Sequence, residues 1–187
     1  MSVSLEIDSI DPLIVLQQIA EPNQQSFYFE NKSKNQAIAA IDAVTQLQTC
    51  GANRFVQAQY FINSCLDQIL TVATSNEATS PHFFCSFSFF EEITQSNYPF
   101  SAATVFLPRW QISRNSDRCT LVANFLINAE TNLEKLYQDW CQQIRTINFL
   151  KHKTTAVNND NSIACNQQKK ISKNFKKSIT SCLELIE

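Results

Sequence analysis

TVFLPRWQIS (Thr104–Ser113), RNSD (Arg114–Asp117) and RCTLVANFLI (Arg118–Ile127) read, in that order, as a strand, a turn and a second strand. Both runs are dominated by β-branched and aromatic residues, which suit a pleated, half-buried surface. The polar tetrad between them is compatible with a four-residue hairpin connection. Pro108 has no N–H to donate to a ladder, so the first strand lies at a sheet edge or carries a bulge there.

The preceding segments fit the same picture. Phe83–Phe90 is aromatic and β-prone, with Phe83, Cys85, Phe87 and Phe89 on one face, between loops at 74–81 and 91–101. Asn53 is placed to cap a helix over 53–70, whose apolar face is Phe55, Ala58, Ile62, Cys65, Leu66 and Ile69. Residues 36–48 satisfy both a helical stripe (Ile38, Ile41, Val44, Leu47) and a strand face (Ala39, Ile41, Ala43, Thr45), and periodicity does not choose between them. Ser26–Phe29 is a short aromatic strand. Asp11-Pro12 opens a short helix, with Asp as cap and Pro where a missing N–H costs nothing; Pro22-Asn23 ends it.

Beyond the hairpin, Thr131-Asn132-Leu133-Glu134 has the form of a capping box. The helix behind it aligns Leu133, Leu136, Tyr137, Trp140, Cys141, Ile144 and Ile147. From residue 150 the composition changes. Residues 1–149 hold eight Lys and Arg against fourteen Asp and Glu, a net of −6; residues 150–187 hold seven Lys against three acids, a net of +4. This predicts an α+β portion over 1–149, a polar linker over 150–171 and a last helix from Ser172, with Phe175, Ile179, Cys182 or Leu183, and Ile186 on one face. The pattern of that helix has neither cap nor breaker at Glu187, so the chain is expected to be a truncated one. The predicted fold is α+β: a mixed, mainly antiparallel sheet with helices packed on it.

Composition excludes several functions. Gly51 is the single glycine in 187 residues. Dinucleotide fingerprints, P-loops and glycine-rich kinase loops all need glycines so that backbone can approach a phosphate. Turns must use Asn and Asp instead. The seven cysteines (Cys50, Cys65, Cys85, Cys119, Cys141, Cys165, Cys182) stand at least fifteen positions apart, with only His82 and His152 to join them, which argues against a structural zinc site. The amino terminus lacks a basic residue ahead of an apolar run, and no stretch approaches the ~18 apolar residues of a membrane span. A reducing, cytoplasmic setting is expected, with the cysteines as small buried hydrophobes.

Candidate chemistry is sparse. Glu91 and Glu92 are adjacent and diverge, whereas an acid/base pair must converge. His82 reads as a structural or surface histidine, and only Cys119 has a basic neighbour, Arg118. Lys169, Lys170, Lys173, Lys176 and Lys177 read as a solvated face, without the aromatic interleaving of a nucleic-acid surface. No catalytic, cofactor-binding or metal-binding residue is assigned.

The order of these pieces is more specific than any one of them. Asp11-Pro12-Leu13, Phe27-Tyr28-Phe29, Gly51-Ala52-Asn53-Arg54-Phe55, Phe83–Phe89, Phe106-Leu107-Pro108-Arg109-Trp110 and Phe175-Lys176-Lys177-Ser178-Ile179 follow one another. Over about residues 10–147 and 172–187 the chain resembles the amino-terminal portion of the isochorismate synthase family, among the chorismate-utilising enzymes. The resemblance implies a layered α+β fold lacking its carboxyl-terminal half. It also implies conversion of chorismate to isochorismate with Mg²⁺, on routes to menaquinone, phylloquinone or salicylate, by a lysine that activates water and a glutamate that protonates the departing hydroxyl. In that family these groups and the metal-holding carboxylates follow the helix that here starts at Ser172, so none is carried over. The chain alone is therefore expected to be inactive and to take chorismate only when completed by a carboxyl-terminal portion. The alternatives are a non-catalytic remnant acting as a small binding or interaction module, and a fragment of a salicylate- or anthranilate-type relative.

Where the family places Gly-Gly after the aromatic residue at Phe84, Cys85-Ser86 stand here, so the local backbone either differs or is strained. Apolar side chains on Phe83–Phe89, on the Thr104–Ile127 hairpin and on the Phe175–Ile186 helix are expected to lack partners. Each large one left in water forfeits about 1.5–3 kcal/mol, favouring self-association through exposed apolar surface.

Overall fold

A computed structural model describes residues 1–73, 80–92 and 101–154. Within them lie strands β1 (Ser2–Ile7), β2 (Ser26–Asn31), β3 (Gln36–Thr49), β4 (Thr71–Ala73), β5 (Phe84–Phe87), β6 (Ala103–Asn115) and β7 (Arg118–Asn124). Helices α1 (Pro12–Ile19), α2 (Arg54–Leu66) and α3 (Leu133–Thr154) complete the set. The strands form one sheet in the order β2-β3-β6-β7-β1-β4, with β5 paired to β6. All described pairings are antiparallel except β1 with β4. The fold is α+β, as the sequence predicts.

The β6–β7 hairpin is the centre of this sheet. Its loop has two residues, not four: Asn115 pairs with Arg118, and Ser116 takes the positive φ (56°) that such tight loops demand. β6 is not an edge strand. It is flanked by β3 along its whole length, and on its other side by β5 (at Ala103–Phe106) and then β7 (at Trp110–Asn115). Pro108 falls in the gap between those two partners, and the register with β3 slips at Ala43/Thr45, opposite it. β3 thus bulges opposite Pro108, whose missing N–H faces the gap on the other side and deprives no partner strand of a donor. Asn124 Nδ2 closes the gap by donating to the Pro108 carbonyl at 2.7 Å.

Residues 36–48, ambiguous in sequence, form the long strand β3, because pairing with both β2 and β6 satisfies its backbone on both sides. β1 and β4 have no counterpart in the sequence reading. Asn23, Asn35, Asp42 and Ser116 hold positive φ, as the scarcity of glycine predicts for Asn and Asp, with Gly51 (φ 87°) opening α2.

One sheet face carries the main core. Val3, Leu5, Ile41, Trp110, Ile112 and Leu121 pack there against Val15 of α1 and Trp140, Ile144 and Ile147 of α3. Trp110 and Trp140 stack at 5.7 Å, with Phe125 edge-on to both. The caps are local chemistry. Asp11 accepts from Leu13 N at 3.0 Å, as expected. α3 is capped by Asn132, which accepts from Lys135 N at 2.9 Å; Thr131 instead pairs with Asn128 through its hydroxyl. The capping-box expectation is thus one residue early. Asn53 precedes α2 without a side-chain cap bond.

Further expectations change. The apolar face assigned to α2 is only partly covered, with Phe55 and Leu66 about half exposed while Ala58 is buried. In β5 it is Phe84 that is buried, stacked on Phe106 and tilted against Phe27, whereas Cys85 and Phe87 are exposed, the reverse of the face read from sequence. Cys85 and Ser86 pair regularly with Val105 and Thr104 and hold no positive φ, so the backbone there is an ordinary strand. The hairpin is not left bare either: Val105, Phe106, Leu107, Ile112, Leu121 and Val122 are all buried. α3 continues to Thr154, past residue 150. The rest of the 150–171 segment and the helix expected from Ser172 lie outside the described residues.

Candidate functional site: a cleft on the open face of the sheet

Side chains alternate along a strand, so the face opposite the main core takes the other half of each one. On that face Gln111 is fully buried and organises its surroundings. Its Oε1 accepts from the His82 backbone N–H at 3.0 Å, and its Nε2 lies 2.9 Å from His82 Nδ1. The backbone donor fixes which end of the amide is which. Nε2 is therefore the donor toward Nδ1, and the neutral imidazole carries its proton on Nε2. The same amide donates to Ser113 Oγ at 3.4 Å, which leaves the Ser113 hydroxyl hydrogen for another acceptor.

His82 and Ser113 line a cleft of about 650 Å³ that runs across β2, β3, β6 and β7. Phe29 and Ile38 supply an apolar wall; Gln36, Asn115, Arg118 and Thr120 supply the polar one. Ala37 and Arg114 complete the lining, which among the described residues includes no carboxylate. The cleft is open to solvent and most of its lining residues are polar.

Three carboxylates outside the cleft are paired with arginines. Arg114 contacts Glu30 at 3.3 Å and the cap residue Asp11 at 3.9 Å. Beside them burial, then Glu30 and Asp11, raise the Tyr28 hydroxyl pKa above its ordinary 10.0. Arg109 pairs with Asp42 at 2.7 Å, at the left-handed residue beside the β3 bulge. A smaller groove of about 320 Å³ runs between α3 and β6, past Trp110, Phe125, Asp139 and Trp140.

The residues singled out in sequence do not converge. Glu91 and Glu92 are exposed, and Glu91 takes part through its carbonyl, which accepts from Gly51 N at 2.7 Å. Cys119 is buried with its thiol against the backbone of Ile10, while Arg118 is exposed and lines the cleft on the opposite face, so the two neighbours cannot act together. Burial raises the thiol of the half-buried Cys65 above its ordinary value, which disfavours the nucleophilic thiolate. The lysine cluster at 169–177 lies outside the described residues. No group of three or more His, Cys, Asp or Glu side chains that could hold a metal ion occurs among the described residues. No helix among them is long and apolar enough to cross a membrane.

A family model described as chorismate binding enzyme matches residues 1–187. The chain belongs to the chorismate-binding enzyme family. Comparison with the curated proteins gives no match.

Sequence reasoning missed Gln111, Ser113 and Thr120. The available signal was the alternation in WQIS, which sets Gln111 and Ser113 opposite Trp110 and Ile112. His82 was noticed, but not the glutamine 29 positions away that orients it.

Proposed function

We propose that this chain supplies the non-catalytic, amino-terminal portion of an isochorismate-synthase-type activity in the cytoplasm, and that alone it does not turn over chorismate. The observation that carries the reading is the state of its acids and bases. Asp11, Glu30 and Asp42 are tied to arginines, Glu91 and Glu92 are in solvent, and His82 Nδ1 is held by an amide donor. General acid/base chemistry needs such a group within reach of a bound substrate and free to exchange its proton. The lysine base, the glutamate acid and the Mg²⁺-holding carboxylates belong, on this reading, to a completing portion. When bound, the metal would clamp a substrate carboxylate; the described residues offer scaffold and wall. The test is turnover of chorismate by the chain alone and with a carboxyl-terminal chorismate-enzyme portion added in trans. Activity only on addition is the expected result.

A second reading, a small binding module without catalytic duty, is favoured by the cleft itself, which is formed by described residues of this chain alone.

A further inference from the structure

We infer that two copies of this chain pair edge to edge through β2, antiparallel and centred on Tyr28, so that one sheet continues from copy to copy. β2 ends the strand order and, among the described residues, pairs only with β3. The direction of its backbone groups follows from that ladder. Asp42 N donates to Gln25 O at 2.8 Å, so the bonded pairs run in alternation from there through Phe27/Ala40, Phe29/Ile38 and Asn31/Gln36. The N–H and C=O groups of Ser26, Tyr28 and Glu30 therefore point away from β3, and no backbone hydrogen bond among the described residues takes them up. Sheets ordinarily blunt such an edge with proline, lysine, a bulge or shortness. β2 has none of these. It runs for six residues, Ser-Phe-Tyr-Phe-Glu-Asn, in unbroken register with β3. Its one charge, Glu30, is paired with Arg114 at 3.3 Å.

The edge is complementary to itself. A two-fold pair presents the same strand from both sides. Centring it on Tyr28 sets Ser26 opposite Glu30 of the second copy, which engages every outward N–H and C=O group of both strands. On the cleft face the same register sets Phe27 opposite Phe29 of the second copy, and Phe29 opposite its Phe27. These rings are 39% and 54% exposed in the single chain, and aromatic cross-strand pairs stabilise antiparallel pairing. No like charges meet. Beyond the strand, the Lys32–Lys34 turn of one copy runs alongside residues 21–25 of the other, where Glu21 is the one charged residue. The contact closes on itself at two copies, unlike association through Phe89 and Phe90. It involves no chorismate chemistry and stands apart from the isochorismate reading.

The test is sedimentation equilibrium of the full chain over a concentration series, with Ser26→Glu and Ser26→Lys beside it. Ser26 is exposed, so neither change disturbs the core of the single chain. A monomer–dimer equilibrium is expected. Ser26→Glu sets a second carboxylate opposite Glu30 at both ends of the pair and is expected to raise the dimer dissociation constant about fivefold or more. Ser26→Lys, opposite the same Glu30, is expected to leave it level or lower it. Amide exchange gives a second reading. The Tyr28 and Glu30 N–H groups are expected to exchange more slowly as concentration rises, whereas those of Phe27 and Phe29, already bonded to β3, are not. A chain that is monomeric throughout, a dimer that Ser26→Glu does not weaken or that both variants weaken equally, or exchange at Tyr28 and Glu30 that ignores concentration would each overturn the inference.

Discussion

Gln111 holds His82 at two points, through the backbone N–H at 3.0 Å and through ring Nδ1 at 2.9 Å. One buried amide thereby sets both the place of the loop before β5 and the tautomer of its histidine. The neutral ring is predicted to carry its proton on Nε2. The ¹⁵N shifts of the two ring nitrogens report this directly; a protonated Nδ1 in the neutral ring would show that the amide is turned the other way.

Removing the amide should be costly. Gln111→Leu leaves the His82 backbone N–H without its acceptor and is predicted to destabilise the fold by about 1–3 kcal/mol. Urea denaturation measures it, and an unchanged midpoint would mean that the contact contributes nothing.

Trp140 is 1% exposed and stacked on Trp110. Trp140→Ala is predicted to cost about 3–5 kcal/mol, as large-to-small core changes do. Phe89→Ala, at 90% exposure, should stay within about 0.5 kcal/mol. Thermal unfolding of the two variants side by side checks the contrast.

The fold was legible in sequence where local chemistry and pattern agreed. Asp11-Pro12 fixes α1, the Trp140/Ile144/Ile147 stripe fixes α3, and the alternation around Trp110 fixes β6. It was illegible where pairing partners decide. β3 and helix patterns are equally good in residues 36–48, and only β2 and β6 on either side settle the matter. β1 reads as SVSLEI because its two faces differ: Val3 and Leu5 meet the core, while Ser2 and Ser4 are buried on the other face. The candidate cleft was illegible for the same reason, since His82, Ser113 and Phe29 meet only once the strands are in register.

Tyr28 gives a pH dependence of definite sign. Burial and the neighbouring Glu30 and Asp11 raise its folded pKa above 10.0. The unfolded chain then loses the phenolic proton first, so this contribution is fully present below about pH 10 and is lost as pH rises through the folded value. Tyr28→Phe is predicted to flatten the fall of the urea midpoint as pH rises above 10.0. An equally steep fall in the variant would place the titrating group elsewhere.

Phe55, Phe87, Phe89 and Phe90 are exposed, with Phe55 and Phe87 in ring contact at 4.8 Å. Apolar surface of this kind is predicted to bind a hydrophobic dye and to promote self-association. Phe89→Ser with Phe90→Ser should reduce both, as read by fluorescence and sedimentation. Unchanged sedimentation would assign association to another surface.

Chorismate turnover is the most direct measurement of the central claim. The purified chain, incubated with chorismate and Mg²⁺, is predicted to yield no isochorismate above a protein-free blank, and to do so only when a carboxyl-terminal portion bearing the family's lysine, glutamate and metal-binding carboxylates is added. Isochorismate formed by the chain alone would contradict the account.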